Sequence, residues 1–531
     1  MSNNNSKRTI FLPLLAAFLL VTGILIGLYL PRQNNIPQHF GINQKSDKIN
    51  MVLNRIEADY VDPVNRNELV EKAIPDILKK LDPHSVYIPA KELKRANESI
   101  KGNFEGIGIS FNMLTDTILI INTIPGGPSE KLGLQAGDKI LYVNDSLVAG
   151  KGIDDEDVVS MLKGPRGTKV KVRILRKGYP ELISFNITRD KIPIPSVDVA
   201  YMINDVTGYI RINNFAESTF QDFMNGLREL TGKGMKKLIL DLRGNSGGVM
   251  DASILIANEF LKKDQLIVYT KGRTATRNEA RATGNGEFET GDLVILIDEM
   301  SASASEILAG AVQDNDRGTI IGRRSFGKGL VQEPVDFPDG SGMRLTIARY
   351  YTPSGRSIQK PYDEDFEKYY DDITIRYNNH EFEVPDSSHF ADSLKFTTIG
   401  GRTVYGGGGI MPDKFVPADT TGITTYFIKA RAWIYPFSLT YAENNRETLK
   451  KYLEADDFEK FLDKQGLLDQ FVRYAAANNL KPDPEGLKIS GSIIHTQVKA
   501  YIARNILDNK GFYPIWEDID TTLKYAIEFL K

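Results

Sequence analysis

Cysteine is absent from all 531 residues. That removes disulfides, thiolate metal sites and a cysteine nucleophile together, and it leaves the redox compartment open. Histidine is scarce and unevenly placed. His39 and His84 lie early, His380, His389 and His495 lie late, and none falls between residues 85 and 379. That stretch holds the best-organised α/β pattern, so a nucleophile there has no imidazole as its base. Positive charge is not in excess: the net charge is −3, and nothing in that balance asks for nucleic acid as a partner. Internal repeats are missing, and one apolar run alone is long. It extends from Ile10 to Leu30, between Lys7-Arg8 and Pro31-Arg32. About 20 residues suffice to span a bilayer as a helix. The run exceeds a usual signal-peptide core and no small-x-small cleavage site follows it, so residues 9–30 are read as a retained anchor with the N-terminus inside.

What is present has the composition of folded domains, 41% hydrophobic and 25% charged, in a chain too long for one core. A polar linker leads to a helical segment over 48–100, where Ile49, Leu53 and Ile56, then Leu69, Ala73 and Ile77, recur at helical spacing. Residues 101–190 hold short β-type runs punctuated by Gly and Pro, with an acidic helical stretch at Asp154–Leu162. Residues 191–420 alternate strands and helices. Leu238–Leu242 and Leu293–Ile297 are continuous aliphatic runs, the pattern of strands covered on both faces. A polar insertion occupies 361–400, and 421–531 return to helical spacing. The class is therefore multidomain α/β: an N-terminal transmembrane helix, a small helical segment, a β+α domain, an α/β core and a C-terminal helical domain.

Ser301-Ala-Ser303-Ala-Ser305-Glu306 follows one of those strands and opens a helical run. Ser303-x-x-Glu306 fits a capping box, which makes Ser303 an N-cap. The same geometry suits a nucleophile, because helix starts carry unpaired N–H groups and that of Ala304 sits where an oxyanion would form. Phe326-Gly327-Lys328-Gly329 offers a base. Lysine at its ordinary pKa of about 10.4 cannot accept a proton, but burial lowers that value, and a Ser-Lys pair then works as a dyad. The plain alternative for Lys328 is a surface turn. Gly322 to Gly329 nearly matches a phosphate-binding loop, yet Gly329 stands where a Ser or Thr would ligand magnesium. Gly244-Asn-Ser246-Gly-Gly248 matches a nucleophile elbow, which would need an acid and a histidine downstream. Gly247 or Gly248 is better used to complete an oxyanion hole with Ala304, since glycine brings a backbone N–H close without obstruction.

Taken together, Asp241-Leu-Arg-Gly-Asn-Ser-Gly-Gly248, the Ser301–Glu306 run, Phe326-Gly-Lys-Gly-Leu-Val-Gln332, Tyr351-Thr-Pro-Ser-Gly-Arg-Ser-Ile-Gln359, Leu81-Asp-Pro-His-Ser-Val-Tyr87 and Gly409-Ile-Met-Pro-Asp413 resemble the carboxyl-terminal processing (tail-specific) proteases. The resemblance implies Ser303 as nucleophile, Lys328 as base and Gln332 as the residue that orients the lysine. It implies a PDZ domain at 101–190, with Gly106-Ile107-Gly108-Ile109 capturing a peptide carboxylate, and Ile107, Ile109, Val158 and Leu162 lining an apolar pocket. It gives His84 no chemistry, so that residue is read as structural. No metal, nucleotide or other cofactor is required. The expected activity is a serine endopeptidase for proteins with apolar C-terminal tails, held at the cytoplasmic membrane and acting outside it, with an adaptor protein or a second copy as candidate partners. The rivals are a PDZ adaptor on an inactive protease fold and a hydrolase using Ser246. The insertion and the C-terminal helical region lie beyond the resemblance.

Overall fold

A computed structural model of the protein describes residues 48–113, 116–274, 276–362, 366–384 and 392–531. The apolar run read as an anchor at 9–30 lies outside these. Among the described residues no helix is long and apolar enough to cross a membrane.

The chain divides into two units, before and after Ile74. The first contains α1 (Lys48–Asp59) and the start of α2 (Arg66–Leu78). Arg66 ties this pair by donating to Asn54 Oδ1 at 2.5 Å and Asn50 Oδ1 at 3.1 Å. In the second unit β1 (Val86–Ile88) is followed by α3 (Ala90–Lys101), which ends at Gly102 in the left-handed conformation, φ 65°.

Residues 103–193 form a β+α module. β2 (Asn103–Gly106) pairs with β9 (Asp190–Pro193). The main sheet runs in the order β3 (Ile109–Asn112), β4 (Ile118–Thr123), β5 (Lys139–Val143), β7 (Lys169–Leu175), β8 (Ile183–Thr188), with β6 (Ser146–Leu147) beside β5. In β7 every second residue, Val170, Val172 and Ile174, is buried, as the two-residue period of a strand requires. The short α4 (Pro128–Leu132) follows β4. The acidic stretch is α5 (Asp155–Leu162), capped by Asp154, whose carboxylate accepts from Asp157 N–H at 2.8 Å.

The α/β core is a six-stranded sheet in the order β10 (Val197–Met202), β11 (Thr207–Ile212), β12 (Lys237–Asp241), β15 (Asp292–Ile297), β16 (Thr319–Gly322), β21 (Lys414–Phe415). All neighbours run parallel except β10 and β11. The continuous aliphatic runs are explained by cover on both faces. Leu238, Leu240, Leu293 and Ile295 pack under α6 (Thr219–Gly232), α7 (Met250–Asn258) and α8 (Ala304–Asp314). Ile239, Val294 and Leu296 face Leu523, Ala526 and Leu530 of the chain's last helical turns. A second sheet contains β1, β13 (Leu266–Gly272), β14 (Asn278–Arg281), β17 (Leu330–Asp336) and β18 (Gly342–Tyr351).

The insertion carries α9 (Phe366–Tyr370), α10 (Asp372–Asn378) and β19 (Lys395–Thr397), which pairs with β20 (Thr403–Tyr405) just beyond it. The C-terminal region is helical: α11 (Thr425–Leu449), α12 (Ala455–Leu462), α13 (Leu467–Ala477), α14 (Pro484–Leu507), α15 (Asn509–Trp516) and α16 (Thr521–Phe529). It has its own core around Phe437, Phe458, Phe471, Ile494 and Val498. Through α16 it also supplies the second face of the core sheet, which is why that sheet is buried on both sides.

Candidate active site

Ser303 stands at the junction between the loop after β15 and the first turn of α8, with φ 55° and ψ −112°. Such a conformation costs a non-glycine residue about 1–3 kcal/mol and persists only when its surroundings impose it. The surroundings here are specific. The flanking serines face inward: Ser301 Oγ donates to Leu242 O at 2.8 Å, and Ser305 Oγ donates to Asn245 O at 2.9 Å. Both are buried, whereas Ser303 is half-exposed. Three serines of similar sequence context thus divide into two that anchor the loop and one that is presented.

The glycine turn after β12 lies directly against this residue. A Cβ added to Gly247, φ 97°, would sit 2.7 Å from Ala302 O, 2.7 Å from Ser303 Cβ and 2.9 Å from Ala304 N. Asn245 joins the two turns. Its O accepts from Ala302 N–H at 3.0 Å, and its side chain donates to Ile212 O at 2.9 Å. Its Oδ1 accepts from Gly247 N–H at 2.9 Å. That bond occupies Gly247, so of the two glycines named from sequence the exposed Gly248 is the better placed to donate outward. Ser246 is exposed in the same turn, and among the described residues no histidine ring is hydrogen bonded to it.

Before the turn, Asp241 is fully buried and accepts from Tyr209 OH at 2.6 Å, Arg211 Nη1 at 2.6 Å and Arg243 Nη2 at 2.6 Å. Burial alone would raise its pKa, but Arg211 and Arg243 outweigh it and hold the carboxyl well below its ordinary value. Arg243 is also held by Asp520, with Nη1 and Nη2 donating at 2.8 and 2.7 Å. The C-terminal region is therefore fastened to the strand end from which the glycine turn springs.

Lys328 lies in the loop between β16 and β17. No helix follows Gly329, and β17 begins at Leu330. The near-match to a phosphate loop therefore lacks the helix N-terminus on which anion binding depends. Glu306 is the hub of this loop. Its Oε2 accepts from Ser303 N–H at 2.8 Å and Lys328 N–H at 2.9 Å. Its Oε1 accepts from Gly327 N–H at 2.7 Å and Ser325 Oγ at 2.5 Å. Tyr350 adds a second tie, its hydroxyl facing Ser303 O at 3.1 Å and Lys328 O. The motif residues Gln359 and Ile410 hold the same loop, Gln359 Oε1 accepting from Gly329 N–H at 2.8 Å and Ile410 O from Ser325 N–H at 3.1 Å.

Burial lowers the Lys328 pKa, helped by the charge of Arg344 and opposed by Glu306 and Asp82. Burial raises Glu306 to about 7 against its four hydrogen bonds. Lys328 Nζ donates to Gln332 Oε1 at 3.0 Å, and Gln332 Nε2 donates in turn to His84 O. Among the described residues no hydrogen bond joins Lys328 Nζ to the Ser303 hydroxyl. His84 does not lie in a helix, as the sequence reading had it, but in the turn between α2 and β1. Its ring Nε2 is 2.7 Å from Tyr369 OH, and burial, with Lys328 second, lowers its pKa to about 4. The hydrogen-bonded run Asp82–Ser85 thus abuts the lysine. Glu306 had a visible signal, its capping spacing. Asn245 and His84 stand in quoted motifs, but their contacts were not legible there, and Tyr350 and Tyr369 had no signal, because each acts on a residue remote in sequence or through its backbone.

Of the residues named for the pocket in the β+α module, three lie in its core and Ile109 alone keeps surface. Ile107, Val158 and Leu162 are 2%, 0% and 4% exposed and belong to the module's core. They fill the space between sheet and helix and have no surface left for a ligand. Ile109, Phe111 and Met161 are half-buried at the edge of that core. Gly106 and Gly108 flank Ile107 as expected, Gly108 with φ 74°, and lead into β3, an edge strand of the sheet.

Three stretches of the chain match known families. Residues 206–367 match peptidase family S41, 106–187 match the PDZ domain, and 426–508 match a family of unknown function. A carboxy-terminal-processing protease of Bartonella bacilliformis is 37% identical over 318 residues, 58% of this chain and 71% of that protein. The carboxy-terminal processing protease CtpA of Bacillus subtilis is 35% identical over 319 residues, 60% of this chain and 67% of that one. A solved structure of a photosystem II D1 C-terminal processing protease is 29% identical and covers 59% of this chain and 90% of its own, but with a TM-score of 0.34 it adds nothing to the assignment. On the two sequence relatives, the chain belongs to the carboxy-terminal processing proteases of peptidase family S41 and is a serine-type peptidase carrying a PDZ domain.

Proposed function

We propose that Ser303 is the nucleophile and Lys328 the general base of a peptide-bond hydrolysis that proceeds through an acyl-enzyme. Neutral Lys328 takes the Ser303 proton as Oγ adds to the scissile carbonyl. The N–H groups of Ala304 and Gly248 receive the oxyanion. Protonated Lys328 then returns the proton to the leaving amine, and water resolves the ester. Gln332 fixes the lysine's direction. The observation that carries this reading is the Glu306 carboxylate, which binds the backbone N–H of Ser303 and of Lys328 on one oxygen and so sets the spacing of the two segments. On this reading the bond from Lys328 Nζ to Gln332 Oε1 belongs to a resting arrangement, and the amine turns from it to Ser303 when substrate is bound.

Substrates on this reading are proteins with apolar C-terminal tails. The tail adds as a strand along β3, with its carboxylate at the Gly106–Ile109 loop. The PDZ domain also gates the site, so deleting residues 105–190 changes turnover or specificity. Residues 9–30 anchor the enzyme in the cytoplasmic membrane, with the catalytic part outside it, in the periplasm or at the cell exterior; this rests on the length of the apolar run.

The test is hydrolysis of a loosely folded protein with an apolar C-terminus by wild type, Ser303→Ala, Lys328→Ala and Ser246→Ala. Activity is expected to vanish in the first two variants and survive in the third. Activity persisting in Ser303→Ala sinks the assignment.

A further inference from the structure

The insertion at 361–400 separates motifs that otherwise follow one another, and its described part folds back on the lysine loop. Arg376 of α10 donates to Ser325 O at 3.1 Å and Arg324 O at 2.7 Å. Tyr369 of α9 is buried where the two halves of the lysine's environment meet. On one side its ring meets Phe326 edge-on at 6.1 Å, and the Lys360 ammonium lies 3.9 Å from the Phe326 ring and 4.2 Å from that of Tyr369. On the other side its hydroxyl is 2.7 Å from His84 Nε2, with the rings edge to face at 5.3 Å. Gln359 Nε2 also donates to the Tyr369 oxygen at 3.3 Å, so the hydroxyl is held from both sides.

His84 is one end of a short chain of contacts. Its carbonyl accepts from Gln332 Nε2, and Gln332 Oε1 accepts from Lys328 Nζ. If the His84 residue shifts, the amide that aims the lysine shifts with it. We propose that Tyr369 is a positioning residue for the general base, supplied by the insertion and acting on Lys328 through His84 and Gln332. This rests on the Ser-Lys reading above. The hydroxyl makes no step of the reaction; it holds His84, and through it Gln332, whose amide oxygen sets the direction of the Lys328 amine. On this proposal a helix of the insertion becomes part of the catalytic frame rather than a surface ornament.

The experiment compares full-length wild type, Tyr369→Phe, Gln332→Ala and the double variant on the same protein substrate, with thermal melting of each. Tyr369→Phe keeps the ring against Phe326 and Lys360 and removes only the hydroxyl. Its kcat is expected to fall about fivefold to tenfold, as for one buried neutral hydrogen bond, with KM within about twofold and melting near wild type. Adding Tyr369→Phe to Gln332→Ala should cost less than about twofold more, because both act through one contact. A wild-type kcat in Tyr369→Phe, a rise in KM in place of the fall in kcat, or losses that multiply in the double variant would overturn the proposal. Lys328→Ala separates the two levels: if it is inactive while Tyr369→Phe is unimpaired, only the positioning role fails, and if it is active, the dyad and this proposal fail together.

Discussion

The protease core and the PDZ module both place glycines at their working loops, but the obstacles those glycines avoid differ in kind. In the core the obstacle is backbone. A Cβ on Gly248 would lie 1.9 Å from Phe215 O, and one on Gly247 would lie 2.7 Å from Ala302 O. Phe215 is bound to the turn on both sides, its amide donating to Gly247 O at 3.0 Å and its carbonyl accepting from Val249 N–H at 2.8 Å, so it cannot retreat without dragging the turn. In the PDZ module the obstacles are side-chain tips: Phe104 Cε2 at 3.0 Å from a Cβ on Gly106, and Ile192 Cδ1 at 3.0 Å from one on Gly108. The first arrangement fixes the dimensions of the turn, which the oxyanion role proposed for Gly248 would require. The second leaves side chains room to adjust, which the proposed capture of varied tails would require.

The sharpest break of this contrast is Gly248→Ala. With φ at 143° and a carbonyl in the way, it should cost about 3 kcal/mol or more and lower kcat at least a thousandfold, read by denaturant unfolding and peptide hydrolysis. Glu306→Gln comes next. The amide can offer only one oxygen to donors that now share two, so kcat should fall about tenfold to a hundredfold. A stability measurement sharpens this further. Glu306 is raised to about 7 in the fold, so its contribution is fully present below the unfolded value of about 4.3 and is lost as pH rises through 7. The stability of wild type relative to Glu306→Gln should therefore fall by about 3 kcal/mol across that window.

Lys328 gives the third expectation. Its pKa is lowered by burial, and only its neutral form accepts the Ser303 proton. The ratio kcat/KM should therefore rise with pH and level off below the usual lysine value of about 10.4, in a profile measured on a short peptide. Smallest are the PDZ glycines. Gly108→Ala, at φ 74°, should cost about 1 kcal/mol and leave kcat intact while weakening tail binding a few-fold, by calorimetry with a peptide. Gly106→Ala, which asks only the Phe104 ring to move, should stay within about 0.5–1 kcal/mol of wild type. Equal damage from Gly108→Ala and Gly248→Ala would erase the distinction between the two loops.

The same contrast marks what could be read from the chain. Strand runs such as Leu293–Ile297, the capping spacing of Ser303 and Glu306, and the glycine turn at 244–248 are short-range patterns, in which residue type and spacing dictate backbone geometry directly. The PDZ pocket was misjudged because burial is not local. Val158 and Leu162 have the spacing of a groove face and of a core face alike, and only the packing of α5 on the sheet puts them inside.

By itself the sequence determined most of the elements, the serine at a helix start, the loop lysine and the lack of a histidine within the α/β core's own stretch of chain, since these follow from composition and near-neighbour chemistry. The tertiary structure decided which partners aim those groups. Gln332 meets His84 across 248 residues, Tyr369 meets His84 across 285, and Arg243 meets Asp520 across 277. Bonds of that span are selected by the packing of whole elements against one another, and no local periodicity encodes them.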